Sequence, residues 1–221
     1  REVLQKLTDT DLSNDKFKWL TGKPINVGYA QAEALRVNFV GELGWELHHP
    51  IEMQNYIFDE LMKAGAEFDI KPFGIRAMDS MRLEKSYRLI PREMSIEYAA
   101  LESGLDRFVK LDKECDFVGK TALLDWQKRG FVNSFVTLEV HDVEDADARG
   151  SEGLYKDGEL VGRATSGGFG FRMNKSLALG LVQVAYGVEG TELEIEILGK
   201  RRRATVISES PFDPDNAALR S

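Results

Sequence analysis

The strongest constraint on this chain lies in its last third, where apolar residues fall at every second position. Val136-Thr137-Leu138-Glu139-Val140, Leu193-Glu194-Ile195-Glu196-Ile197 and Ala204-Thr205-Val206-Ile207 alternate apolar and polar side chains. A period of two sorts side chains onto opposite faces of an extended strand and cannot build the apolar stripe of a helix. Turn residues at Lys156-Asp157-Gly158, Gly187-Val188-Glu189-Gly190 and Leu198-Gly199-Lys200 space such runs as short hairpins. From Phe135 onward every apolar run is therefore expected to be strand, closing as a small antiparallel barrel or sandwich. Ser166-Gly167-Gly168-Phe169-Gly170-Phe171 follows a strand and opens no helix, so it is read as a hairpin or bulge and not as a phosphate loop.

The earlier part has a different texture. Ile25 to Tyr29, Ala34 to Val40 and Trp45 to His48 read as short strands, punctuated by Gly41-Glu42-Leu43-Gly44. Pro50 and Gly65 bracket Ile51 to Ala64, where Met53, Ile57, Leu61 and Ala64 recur at helical spacing, and a second helix is expected from about Ala77 to Lys85. The stretch from Tyr87 to Gly104 reads mostly as loop, with Ser95 placed to cap a short helix through Leu101. Leu105 to Leu111 is expected to be a strand, followed by a helix through Trp126 that Gly130 ends. The predicted fold class is α+β: a ferredoxin-like α/β lobe plus a C-terminal antiparallel β-barrel. Residues 1–22 are expected to close a third lobe, residues 23–131 to form the α/β lobe and its return segment, and residues 132–221 the barrel. Arg1-Glu2-Val3-Leu4 reads as a helix already in progress, so the start is expected to be a cut and the third lobe truncated.

Composition removes several function classes. The 29 Lys+Arg against 37 Asp+Glu give a net charge of −8, against the expectation for a general nucleic-acid binder. Cys115 is the single cysteine, which precludes an intrachain disulfide and a multi-cysteine metal site and fits a reducing compartment. No apolar run approaches the roughly eighteen residues that a membrane helix needs. No Gly-x-Ser-x-Gly, Walker lysine loop or His-Glu-x-x-His occurs. His48, His49 and His141 are read as exposed strand histidines, the acidic run Asp142 to Asp147 as a solvated loop, and Lys200-Arg201-Arg202-Arg203 as a solvated hairpin tip. No metal is expected.

Phe39-Val40-Gly41-Glu42-Leu43-Gly44-Trp45-Glu46 is different, because its glycines permit a reversal that can present a carboxylate beside two aromatic rings. It is joined by Phe73-Gly74-Ile75-Arg76-Ala77-Met78-Asp79-Ser80-Met81-Arg82-Leu83-Glu84-Lys85-Ser86-Tyr87-Arg88, by Asp116-Phe117-Val118-Gly119-Lys120 and by Ala164-Thr165-Ser166-Gly167-Gly168. In this order and spread, the set resembles the glycine-cleavage T-protein (aminomethyltransferase) superfamily. The Arg-Leu-Glu-Lys-x-Tyr-Arg run and Leu101-Glu102-Ser103-Gly104-Leu105 look closer to the folate-binding C-terminal region of dimethylglycine and sarcosine dehydrogenases. Met78 departs from the arginine usual in the T-protein proper, and Ile90-Pro91 from a Trp-Gly pair common in relatives.

The resemblance implies tetrahydrofolate-dependent one-carbon transfer, with N5 of tetrahydrofolate attacking an aminomethyl or iminium carbon to give 5,10-methylenetetrahydrofolate. It implies that Glu46 holds the pterin, whose ring N–H and amine are two parallel donors matched by two carboxylate acceptors. Phe39 stands where the family has tyrosine, so a ring contact carries over and a hydroxyl bond does not. Tyr87 matches a second aromatic position, and Arg149 an arginine able to meet the anionic folate tail. Arg82 is read as structural, bracing Glu46 or its own helix. The aspartate that assists proton chemistry near N5 belongs to a region preceding the one matched, so no catalytic residue is expected here. FAD is expected only if a flavin domain lies upstream. Expected partners are the folate, a methylated amine or aminomethyl donor, and an upstream oxidoreductase domain or a lipoyl carrier protein; neither nucleic acid nor membrane is expected. The compartment implied is the cytoplasm, or the mitochondrial matrix in a eukaryote. The alternatives are a glycine-cleavage T-protein and a non-catalytic folate-binding regulator. An RNA-modifying or iron–sulfur-assembly relative would need a reactive cysteine, which Cys115 among acids does not resemble.

Overall fold

The computed structural model describes residues 1–221 and resolves into two units, one of residues 1–78 with 213–221 and one of residues 79–212. It combines helices with a separate three-stranded sheet and a closed six-stranded antiparallel barrel.

The first unit begins with a short helix, α1 (Glu2–Gln5), followed by strands β1 (Gly22–Val27), β2 (Ala30–Leu35) and β3 (Glu46–His48), hydrogen-bonded in that order and all antiparallel. Ile25 and Val27 of β1 and Ala30, Ala32 and Ala34 of β2 face one side and are buried, while Asn26, Gln31 and Glu33 alternate outward. The buried face packs with Leu4, Leu12, Phe17 and Ile57, the last from helix α2 (Gln54–Gly65). The β1–β2 turn is Gly28-Tyr29, not the longer connection expected from the sequence. Gly28 has φ +59°, and a Cβ there would lie 2.0 Å from the Tyr56 hydroxyl, so this two-residue reversal needs glycine. The strand expected over Ala34 to Val40 stops at Leu35, because Asn38 accepts the Val40 and Gly41 amides and turns the backbone out of the ladder.

Helix α3 (Ile75–Leu83) contains the division between the units. In the second unit, residues 84–119 lack both the capped helix at Ser95 and the strand at Leu105 to Leu111; turns and a single 3-10 turn, Asp106–Phe108, occupy the segment. The barrel of this unit is closed and offers no edge to residues 105–111, and their amides bond locally, Leu105 to Ala100 and Val109 to Asp106. Helix α4 (Lys120–Arg129) ends at Gly130, with φ +85°, as the sequence suggests.

The barrel contains β4 (Asn133–Val140), β5 (Gly153–Lys156), β6 (Glu159–Gly170), β7 (Lys175–Gln183), β8 (Glu192–Ile197) and β9 (Lys200–Ile207). Its order is β4-β7-β6-β5-β8-β9, and β4 pairs with β9 to close it. The glycine-rich run lies inside β6, which carries a register shift between Ala164 and Ser166. Small side chains make so narrow a closure feasible: Ala148, Ala164, Ala178 and Ala204 lie in the core, and a Cβ on Gly167 would approach that of Ala148 to 2.6 Å. β7 breaks the expected alternation. Ser176 to Val182 are all buried, because Leu83 and Phe135 cover Leu179 on one face while Ala178 and Val182 join the barrel core on the other.

Buried carboxylates hold the irregular segment to the barrel. Glu93 accepts from Thr165 Oγ1 at 2.6 Å, Ser166 Oγ at 2.5 Å and the Leu89 amide at 2.8 Å, with the buried Arg82 Nη1 at 3.5 Å. Glu102 accepts the Ala99, Val132 and Asn133 amides, and Glu84 those of Arg172 and Met173. Removing one partner of a buried ion pair strands the other and typically costs about 3–5 kcal/mol. Glu93→Ala should lower unfolding free energy in urea by that amount, and Glu93→Gln by less, because its amide keeps one acceptor.

The acidic loop and the basic hairpin, read separately as solvated, meet each other. Asp145 pairs with Lys200 at 3.1 Å and with Arg202, and Asp142 with Arg203 at 3.3 Å. The Lys200 hydrogen bond, with the Arg202 and Lys200 charges, holds the Asp145 carboxyl below its ordinary value. A depressed carboxyl stabilises the fold above its unfolded value, near about 4, and loses that contribution as pH falls through the folded value. Thermal unfolding of the wild type and Asp145→Asn should therefore differ at neutral pH and converge as pH falls below about 4.

Candidate functional site

The Phe39-to-Glu46 segment is built on a polar turn over a buried cation. Asn38 Oδ1 accepts the Val40 amide at 3.1 Å and the Gly41 amide at 2.8 Å, and Gly41 takes φ +77°. Beneath it, Arg36 is 2 % exposed and donates to the Phe17 carbonyl at 2.7 Å and the Leu219 carbonyl at 3.4 Å. Burial pushes this guanidinium below its ordinary pKa, with the charge of Arg1 adding to the effect. Trp45 sets its ring edge-on to Phe17, centroids 6.1 Å apart, with the Arg36 guanidinium 5.8 Å from its centre. Sequence reasoning named Phe39 and Glu46 and missed Arg36, whose burial no local pattern signals.

The segment delivers Glu46 to the first position of β3. Strand alternation turns Leu47 toward the core, and Glu46 and His48 to the other face. Glu46 is accessible, its side chain 51 % exposed, and its Oε2 lies 3.2 Å from His48 Nε2. Glu33 of β2 is directly opposite His48. A concave patch of about 470 Å³ on this face is lined by His48, Glu33, Asn26 and Gln31, among others. Glu46 is not part of that lining but neighbours it through His48, and its carboxylate, when ionised, offers acceptors to a ligand with adjacent N–H donors. Phe39 is half-buried at the start of the turn.

The other two expected residues lie in the second unit. Tyr87 is half-buried and its carbonyl accepts from Arg82 at 3.1 Å. Arg149 is exposed, its amide and that of Gly150 both held by the Glu152 carboxylate at 2.7 Å. Arg82 braces its own helix, bonding Asp79 at 2.7 Å, and also donates to Ser166 Oγ at 2.8 Å. The motif following it is equally structural. Lys85 donates to the Phe212 carbonyl at 3.0 Å, Ser86 meets Thr137 at 2.7 Å, and Arg88 forms a two-armed pair with Glu209 at 2.8 Å on each arm.

Residues 1–113 match the family model described as the GCVT N-terminal domain, and residues 133–213 the glycine cleavage T-protein C-terminal barrel domain. Mitochondrial dimethylglycine dehydrogenase of Mus musculus is 42% identical over 209 residues, which are 95% of this chain and 24% of that protein. The aminomethyltransferase of Thermoanaerobacter pseudethanolicus is 34% identical over 211 residues, 95% of this chain and 56% of that protein. The crystal structure of the glycine cleavage system aminomethyltransferase T from Bartonella henselae superposes with a TM-score of 0.82 at 26% identity, covering 96% of this chain and 56% of that one. The chain thus spans 24% of the dehydrogenase and 56% of the aminomethyltransferase.

The geometry makes Asn38 the residue that shapes the turn. Asn38→Ala removes both acceptor contacts and should cost about 1 kcal/mol. Hydrogen exchange at Val40 and Gly41 should accelerate about fivefold with little change in the barrel.

Proposed function

Because the chain belongs to the glycine-cleavage T-protein (aminomethyltransferase) family, we propose that it takes part in tetrahydrofolate-dependent one-carbon transfer, as the C-terminal part of a dimethylglycine or sarcosine dehydrogenase-like protein. The observation that carries this reading is the accessible carboxylate of Glu46 at the end of the family's turn motif. Its donor–acceptor chemistry fits a pterin: the ionised group accepts, and the ring N–H and amine of a pterin edge donate in parallel. Glu46 would hold that edge, Phe39 would flank the ring, Tyr87 would supply a second aromatic contact, and Arg149 would meet the anionic tail.

When bound, tetrahydrofolate would supply the nitrogen nucleophile that accepts the carbon, leaving as 5,10-methylenetetrahydrofolate. The task of these residues is orientation: a carboxylate fixes the ring plane and aromatic faces exclude water, which raises the effective concentration of the two reactants. Generating the carbon from a methylated amine is an oxidation, and FAD would supply it only where a flavin domain lies upstream of this chain. The greater similarity to dimethylglycine dehydrogenase, together with Met78, favours an N-methylated glycine derivative as the carbon source over an aminomethyl-lipoyl carrier. The compartment follows the source: the mitochondrial matrix in a eukaryote, the cytoplasm otherwise. No helix is long and apolar enough to cross a membrane.

Titration calorimetry of the full-length protein with tetrahydrofolate tests the assignment. Glu46→Gln replaces one acceptor by a donor facing a donor and should weaken binding by at least about thirtyfold. Unchanged affinity would remove Glu46 from the pocket. A carbon-transfer assay offering dimethylglycine, sarcosine and an aminomethyl-lipoyl protein in parallel separates the dehydrogenase-like reading from the T-protein alternative.

A further inference from the structure

We propose that His48 is a positioning residue for Glu46, orienting the carboxylate that receives the folate; the inference rests on the assignment of Glu46 above. The two residues are two apart on β3, so their side chains leave the same face, and His48 Nε2 lies 3.2 Å from Glu46 Oε2. Glu46 is at the first position of a strand of three residues, with its side chain 51 % exposed. A glutamate so placed has several free torsions, and fixing them during binding carries an entropic cost that a partner already in place reduces. The pair does little for the fold, since exposed ion pairs contribute little to stability.

Holding Oε2 does not block the site. A carboxylate has roughly four lone-pair positions, so Oε2 can accept from His48 and from a ligand at once, while Oε1 is left to the second ligand donor. Around the pair, Glu33 of β2 is opposite His48 in the ladder, and the concave patch beside it is also lined by Pro24, Asn26, Thr10, Gln31 and Pro50. The adjacent His49 lies with Nδ1 2.9 Å from the Pro50 carbonyl. An imidazole N–H donated to an ionised carboxylate makes a charge-assisted bond, stronger than one between neutral groups.

The test is calorimetric titration of the full-length protein with 5-formyltetrahydrofolate, a stable reduced folate. The wild type, Glu46→Gln, His48→Ala and His48→Gln are compared, with thermal unfolding as the check that each variant is folded. His48→Ala should weaken binding about five- to tenfold. His48→Gln, which keeps an N–H donor, should restore binding to within about twofold of wild type. Wild-type affinity in His48→Ala, with binding lost in Glu46→Gln, overturns the role of His48 and leaves Glu46 standing. A glutamine variant as weak as the alanine one also overturns it, since the imidazole's bulk and not its N–H would then matter. Undiminished binding in Glu46→Gln removes the assignment of Glu46, and the role of His48 with it.

Discussion

A long irregular segment cannot be buried against a barrel unless its backbone amides find acceptors, and here local turn carbonyls are joined by buried carboxylates that tie the segment to other elements. Residues 84–119 contain no strand and no α-helix, so no ladder satisfies them. Glu93 and Glu102 take up amides of this segment, and Glu84 those of the turn after β6. Each carboxylate is also tied to another element. Glu93 bonds hydroxyls of β6, Glu102 the amides of Val132 and Asn133, and Glu84 the guanidinium of Arg172. A charge in such a place costs several kcal/mol in desolvation, so it persists only where most of its lone pairs are engaged. The ionic residues of this region thus form a rigid framework, and they explain why so much of the family's motif is charged yet buried.

The first unit solves a related problem with the opposite charge. Arg36 is buried without a carboxylate among its hydrogen-bond partners; its Nη1 and Nη2 donate to main-chain carbonyls of Phe17 and Leu219, while its Nε has no hydrogen-bond partner. Arg1 acts similarly on Leu12 and Ser221. These cations gather carbonyls from segments far apart in sequence beneath the sheet, and the turn bearing Glu46 starts two residues beyond Arg36. The alanines of β2 keep the sheet surface shallow, which lets Phe17, Ile57 and Trp45 pack closely on it. The accessible carboxylate thus follows a turn whose start is fixed by Asn38 beside this buried cation.

What the sequence disclosed followed how local the governing physics is. Alternation located β8 and β9 because each has one wet and one dry face, and β4 because polar Thr137 and Glu139 interrupt its apolar residues although Thr137 is itself buried; Gly130 marked the end of α4 through its positive φ. β7 was illegible by the same logic, being dry on both faces. The strand expected at residues 105–111 had acceptable alternation but no edge to join, and pairing is a tertiary property. The first hairpin was displaced because Ala30, Ala32 and Ala34 alternate weakly to the eye although they bury fully. Among site residues, the motif led to Glu46 and Phe39, whereas the partnership of Glu46 with His48, two apart on one strand, was passed over because the histidines were read only as exposed. The attraction of Asp142 and Asp145 to the basic hairpin was hidden for a different reason, since more than fifty residues separate the partners.

The double burial of β7 bears on how sequences of this kind can change. From Ser176 to Val182 there is no solvent-facing position, and Gly180 could not accept even a methyl group without meeting the Arg163 carbonyl at 2.7 Å. Drift that is harmless elsewhere on the barrel has no outlet along this strand. Substitutions can accumulate on the outward positions of β8 and β9, where glutamates and arginines face water, while β7 admits little beyond exchanges among aliphatic residues of equal volume. One strand of the barrel therefore acts as a fixed spine, and variation between lineages is steered toward the opposite wall and the loops.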